Sequence, residues 1–189
     1  HIKTILNVNG RAAVVLPDNV LFEGGAGETI RQRLLKEFDV HTLLRLPTGI
    51  FYAGGVKANV LFFEKKPASE SPWTKEMWVY DFRTNMHFTQ KTKSLKRADL
   101  EEFVQAYCAG HRQDRFESER FKKFSYDELV ARDKTNLDII WLKDDSIVDA
   151  ADLPAPEVIA EEILESLQSA VQEIQTVLDA LNTKSSEGE

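Results

Sequence analysis

The chain has one cysteine, Cys108, so no disulfide can form within it, and its four histidines, at 1, 41, 87 and 111, fall in no zinc-type spacing. A disulfide-stapled module is thereby excluded, and the spacing argues against a structural metal. No apolar run approaches the roughly 18 residues of a membrane span, and no charged-then-apolar leader opens the sequence. A cytoplasmic protein is the expectation. No Ser/His/Asp, Cys/His or paired-carboxylate arrangement stands out, so hydrolytic chemistry has no visible apparatus. The opening HIKTILNV reads as a helix entered midway without an initiating Met, which suits a fragment better than a natural N-terminus.

An overall excess of basic charge is also lacking: the formal charge is −7. It is unevenly placed. Residues 1–66 hold nine Lys/Arg against six Asp/Glu, and residues 83–134 hold twelve against nine, whereas residues 135–189 hold two against thirteen. Read segment by segment, this balance allows a phosphate-facing surface in the first 134 residues and keeps the acidic tail off DNA.

What is present is α/β layering. Residues 2–8 read as the end of a helix stopped by Asn9-Gly10. Residues 12–16 form a continuous apolar run, expected to be a strand buried on both faces. Residues 28–38 carry Ile30, Leu34, Leu35 and Phe38 at helical spacing, with Arg31, Arg33 and Lys36 elsewhere on the turn. Two short β-prone runs, 42–46 and 58–63, flank a Gly-rich turn and read as a hairpin-like pair. Residues 76–82 (EMWVYDF) are another strand, 97–109 an amphipathic helix, 126–132 a short helix and 136–141 (NLDIIW) extended. The stretch between 111 and 124 reads as a charged connection.

After an acidic, Pro-bearing linker at 144–156, residues 157–181 form one long helix. Ile163, Leu167, Ala170, Ile174, Val177 and Leu181 recur at an average near 3.5, a coiled-coil seam widened by Leu164, Val171 and Leu178. The same stripe also suits a surface helix docked on its own domain. The tail 183–189 is expected to be disordered.

The loop TGIFYAGGVK between the paired runs displays Phe51 and Tyr52 beside Gly49, Gly54 and Gly55. Large aromatics at a loop of that flexibility suit a flat ligand, for instance a base; the alternative is that Phe51 is a core plug under the hairpin. Asp18 and Asn19 lie in the loop after the first strand, where open α/β sheets place their sites, and also make a turn after Pro17. Lys57 is a candidate phosphate contact or a solvated lysine. The glycines of FEGGAGETIRQRLL imitate a nucleotide fingerprint. Seven residues separate them from the strand and Ile30 stands at the third glycine, so they read as a flexible loop.

In this order the segments resemble the last third of an N6-adenine DNA methyltransferase domain, and most closely the modification (M) subunits of type I restriction-modification systems. The resemblance is carried by residues 10–66, with VLPDNVLF and LPTGIFYAGGVKANVLFF. It continues through WVYDFR, FTQKTK, FKKFSYDELVARD and NLDIIWLK to the final helix. It implies the closing strands and helices of a Rossmann-like sheet over 1–66 and a family-specific α/β extension over 67–143. Beyond the linker 144–156, the helix at 157–182 would meet the specificity (S) subunit. It also implies that an aromatic before the last strand, here Phe51 with Tyr52 beside it, stacks on a flipped adenine. Asp18, Asn19 and Lys57 become candidate DNA contacts.

The family's Asn/Asp-Pro-Pro-Phe/Tyr motif, whose carbonyls orient the adenine amine, is not in this sequence, nor is its glycine motif for S-adenosylmethionine. The resemblance therefore implies that the chain contains no catalytic, cofactor or metal residues and is inactive alone. In the intact complex it implies methyl transfer from S-adenosylmethionine to adenine N6. The partners are DNA, the S subunit, the restriction (R) subunit and a second M subunit, without a membrane. Two other classes remain: a different base-modifying or DNA-binding α/β enzyme, and an interaction or DNA-binding module with no methyltransferase role.

Overall fold

The computed structural model describes residues 2–51, 56–86, 88–89 and 93–143, together with residues 164, 167, 171, 174 and 175. Two compact units divide the chain after Asp145. In the first, five strands form one sheet in the order β1-β3-β2-β4-β5, where β1 is Arg11–Pro17, β2 Phe38–Leu46, β3 Ala58–Lys65, β4 Glu76–Asp81 and β5 Phe121–Ser125. The expected hairpin-like pair is present: β2 runs antiparallel to β3, with Leu44 opposite Val60 and Leu46 opposite Ala58. β1 is antiparallel to β3, β4 parallel to β2, and β5 antiparallel to β4. The sheet thus continues across residue 66, and β4 and β5 extend it on the far side of β2.

Among the described residues, four α-helices, α1 Ile2–Ile5, α2 Ala26–Glu37, α3 Glu101–Tyr107 and α4 Tyr126–Ala131, accompany the sheet. Two cores, one on each face, explain the strands' composition. Val40, Leu43, Leu61, Phe63, Met77 and Val79 meet Leu35 of α2, Leu129 of α4, Leu21, Leu137 and Ile139 on one face. Leu44, Leu46, Trp78, Tyr80, Phe82 and Phe121 meet Phe103 of α3 and Phe88 on the other. Strands covered on both faces carry apolar residues without alternation, as TLLRL and EMWVYD do. The parity of β2 changes midway, because Val40 faces Phe63 and Thr42 faces Phe62 while His41 between them has no opposite number. That β-bulge puts Val40 and Leu43 on the same face.

Several expectations need correction. β1 is an edge strand whose residues alternate between exposed and half-buried, not a strand covered on both faces. The helix expected over 28–38 starts at Ala26 and ends at Glu37; Phe38 opens β2 instead. The helix expected over 97–109 is a 3₁₀ turn, Arg97–Leu100, followed by the shorter α3, which stops where Cys108 takes a left-handed conformation (φ 46°). Within the charged stretch lies β5, and its Phe121 is fully buried. Arg31, placed by its helical position among the polar residues of α2, is buried at 4% exposure. The short helix expected near 126–132 is α4, with a capping box: Glu128 N–H donates to Ser125 Oγ at 3.3 Å, and Ser125 N–H to Glu128 Oε2 at 2.7 Å.

Of the second unit, Leu164, Leu167, Val171, Ile174 and Gln175 are described; they are helical and exposed. The linker at 144–156, the tail at 183–189 and the remainder of the helix expected over 157–181 lie outside the described residues.

Candidate functional site

Strands β1, β2 and β4 share one direction, since β1 and β2 are both antiparallel to β3 and β4 is parallel to β2. Their carboxyl ends, at Pro17, Leu46 and Asp81, therefore lie along one edge, where β3 begins. Open α/β sheets bind ligands beyond such an edge. Three connections leave it: the turn Asp18–Leu21 after β1, the loop after β2 that carries Phe51, and the segment that starts at Phe82 after β4.

Polar residues gather there although the strands around them are apolar. Asn59, Arg45 and Asp81 lie side by side on adjacent strands and are all buried. Buried charges need partners; Asp81 finds them in hydrogen bonds, and Arg45 finds them at both terminal nitrogens but not at Nε. Arg45 donates through Nη1 to the Ile139 carbonyl at 2.6 Å and pairs through Nη2 with the Asp138 carboxylate. Asp81 accepts the N–H groups of Arg83 and Thr84 on Oδ1, both at 2.8 Å, and the Thr84 hydroxyl on Oδ2. Arg83 grips Asp18 with both terminal nitrogens, Nη1 to Oδ2 at 3.0 Å and Nη2 to Oδ1 at 2.6 Å. Asn59 also donates to Asp18 Oδ1, at 2.7 Å. Burial pushes the Asp18 carboxyl up, but the Arg83 and Asn59 hydrogen bonds and the Arg83 and Arg45 charges outweigh it, so it lies below the ordinary carboxylate range. It is an anion held by the protein's own cations.

Of the residues singled out in the sequence, Phe51 is half-buried and packs against the aromatic core of the second face. Tyr52 lies outside the described residues. Asp18 opens a 3₁₀ turn, Asp18–Leu21, and its carboxylate is engaged as above. Asn19 is exposed and donates to Glu23 Oε1 at 2.6 Å. Lys57 is exposed, and its carbonyl accepts the Asp18 N–H at 3.2 Å. The structure thus brings Asp18, Lys57 and the Phe51 loop to one edge, with Asn19 turned to its own neighbour.

Sequence reasoning missed Arg45, Asn59, Asp81, Arg83 and Asp138. A signal for the first three was available: each interrupts an apolar strand that is covered on both faces, where a polar side chain needs a partner. Nothing local marks which partner that is.

The glycines before α2 do not leave β1 directly. The turn Asp18–Leu21 separates them from β1, Gly25 at φ 62° precedes the helix, and the Glu23 carbonyl accepts from Arg31 at 2.6 Å. Among the described residues no three His, Cys, Asp or Glu side chains gather as a metal-binding group, and no helix is long and apolar enough to cross a membrane.

Residues 1–141 match the N-6 DNA Methylase family. The chain is 38% identical to the type I restriction enzyme EcoKI methylase subunit of Escherichia coli K12, over 96% of this chain and 40% of that protein. Identity and coverage are the same against the StySJI methylase subunit of Salmonella typhimurium. The crystal structure of the EcoKI M protein superposes with a TM-score of 0.70 at 37% identity, covering 96% of this chain and 43% of that one. The chain spans about two-fifths of the length of these curated relatives. It belongs to the N-6 DNA methylase family.

Proposed function

We propose that the chain is the carboxyl-terminal part of the modification subunit of a type I restriction-modification DNA methyltransferase, and that it presents the target base and docks the specificity subunit. S-adenosylmethionine supplies the methyl group for adenine N6 in the intact complex. The described residues do not fit that cofactor, because the glycine loop before α2 is displaced from its strand by the turn Asp18–Leu21. Cofactor and amine-orienting residues then belong to the remainder of the subunit, and this chain alone is inactive.

The observation that carries the reading is the Phe51 loop, braced by a buried polar network at the shared carboxyl edge of three strands. An enzyme acting on a base must take it out of the duplex stack, and an aromatic face recovers part of the stacking energy lost. Phe51 supplies that face, with Tyr52 next to it. Lys57, at the loop's end, is suited to a DNA phosphate as a point charge. Asn19 lies along the same edge and makes the weaker claim to a DNA contact. Asp18 serves the DNA indirectly, since its carboxylate is committed to Arg83 and Asn59.

Leu164, Leu167, Val171 and Ile174, spaced by three and four residues on a helix, are each more than half exposed within their unit. An apolar stripe of this spacing calls for a helical partner, which we assign to the S subunit. Through that complex the chain would join the R subunit and a second M subunit.

The test is methyl transfer by the complete enzyme. Phe51→Ala is expected to reduce adenine methylation per folded molecule by about 1–3 kcal/mol of stacking, with Tyr52→Ala as the matching control. A variant that merely loses stability, with unchanged methylation per folded molecule, would identify Phe51 as a core plug.

A further inference from the structure

Just beyond the carboxyl end of β2, Gly49 lies directly against the Phe88 carbonyl. Ile50 and Phe51, which follow it, pack with Leu95 on the cluster that holds Phe88 and Phe82. The Phe88 ring is buried, its centroid 5.7 Å from that of Phe82, and the Lys93 ammonium lies 5.5 Å from the Phe88 centroid. Thr89 fixes the Lys93 backbone: its N–H donates to the Lys93 carbonyl at 2.9 Å, and its hydroxyl accepts the Lys93 N–H at 2.8 Å. Lys93 is thereby brought to the edge that carries Phe51 and Lys57, although the sequence separates them widely.

The charges of this edge are sorted. Lys3, Lys66, Lys123 and Lys134 are each paired with a carboxylate, and so is Arg97; Lys57 and Lys93, both exposed, are paired with none among the described residues. The carboxylates nearby are engaged within the protein: Asp18 by Arg83 and Asn59, Asp138 by Arg45, and Asp81 by backbone N–H groups and the Thr84 hydroxyl. The edge holds its anions inward and offers ammonium groups outward.

We propose that Lys93 is a second phosphate contact, acting with Lys57, for the DNA strand that carries the target base. The inference rests on the reading that this edge faces that base. A lysine is a compact point charge, suited to a phosphate whatever the neighbouring sequence. Its seat over a buried ring orders the long side chain before DNA arrives, so less rotamer freedom is lost on binding. Because Phe88 also abuts Gly49, the phosphate contact and the start of the Phe51 loop share one support.

The experiment measures DNA binding by the complete methyltransferase, assembled from full-length M and S subunits, between 50 and 200 mM salt. Each phosphate contact contributes about 0.9 to the slope of log affinity against log salt. Lys93→Gln is expected to flatten that slope by about one, so the fourfold rise in salt should weaken its binding about 3.5-fold less than that of wild type. In methylation, KM for DNA should rise with kcat unchanged. Lys93→Arg should keep the wild-type slope. Lys36→Gln, exposed at the end of α2 and so at the opposite edge of the sheet, should also keep it. An unchanged slope in Lys93→Gln, with that of Lys57→Gln flattened, would overturn the Lys93 contact and leave the edge facing DNA. Equal flattening by Lys93→Gln and Lys36→Gln would reduce the effect to net charge and overturn it too. Unchanged slopes in both Lys57→Gln and Lys93→Gln, with full methylation by Phe51→Ala, would overturn the reading of the edge itself and this inference with it.

Discussion

Gly49 and Phe88 meet so closely that a Cβ placed on Gly49 would lie 1.8 Å from the Phe88 carbonyl oxygen. No side chain fits there, and the φ of 81° is one that other residues adopt at a cost. Gly49→Ala is therefore expected to destabilise the domain. Overpacking contributes about 1–3 kcal/mol, and the left-handed backbone roughly 1–2 kcal/mol more. Urea denaturation of the variant measures the loss; a change within about 0.5 kcal/mol, as at an ordinary surface site, would mean that the two segments are not locked together.

Arg31 is a second buried lock. Its guanidinium donates to the carbonyls of Val20, Glu23, Lys134 and Thr135 at 2.6–3.0 Å, joining the turn after β1 to the connection after α4. Both residues of that connection, Lys134 and Thr135, have positive φ (52° and 49°). Arg31→Met strands these carbonyls, and a stranded buried group costs about 1–3 kcal/mol, so a loss of at least about 2 kcal/mol is expected. Arg33→Met, on an exposed side chain two residues away, should stay within about 0.5 kcal/mol. Equal effects in calorimetry would contradict the assignment.

His41 sits in the β2 bulge, beside the rings of Phe62 and Tyr107, with Nδ1 2.8 Å from Thr42 Oγ1. Burial, then the charges of Arg112, Arg115 and Lys66, lower its pKa from 6.5 to about 3, against an opposing pull from Glu64. The folded imidazole stays neutral where the unfolded one gains a proton. Below the unfolded pKa the unfolded state therefore binds more protons, and stability falls as pH drops from 6.5 towards 3. At about 1.4 kcal/mol per pH unit, the loss at pH 5 is about 2 kcal/mol. Denaturation of wild type and His41→Gln between pH 7.5 and 5 checks this: the variant should lose most of the slope, and an unchanged slope would place the titration elsewhere.

The C-terminal stripe leads to a different assay. Deleting residues 157–189 from the complete subunit should leave the five-stranded domain folded and abolish capture of the S subunit in a pull-down. Each large aliphatic that goes from exposed to buried contributes roughly 1.5–3 kcal/mol, so losing several at once is decisive. Full-affinity capture by the truncated subunit would contradict the docking role.

Elements built from local patterns were legible in the sequence. The β2–β3 pair, α2, β4 and the capped α4 are each announced by apolar period, turn residues or a capping box. What was not legible depends on distant partners. Arg31 looks like a solvent-face residue of an amphipathic helix until the carbonyls of residues 134 and 135 arrive above it. β5 hides because FKKFS buries Phe121 but leaves Lys122 only half-buried and Lys123 exposed, which in one dimension resembles a charged connection. The bulge at His41 leaves no local trace, because FDVHTLLRL mixes polar and apolar residues and both parities read as strand. Asp18, Asn59, Arg83 and Asp138 come together from four separate segments, and only Asp18 was singled out in advance, because its place after a strand points to a site.

The most direct measurement of the central claim compares Phe51→Ala with wild type in the complete methyltransferase on two substrates, one with the target adenine paired and one with it mismatched. If Phe51 offsets the cost of extruding the base, the variant should lose about 1–3 kcal/mol of transition-state stabilisation on paired DNA. It should lose distinctly less on mismatched DNA, where unpairing is already cheap. Equal methylation by variant and wild type per folded molecule on both substrates would contradict the account.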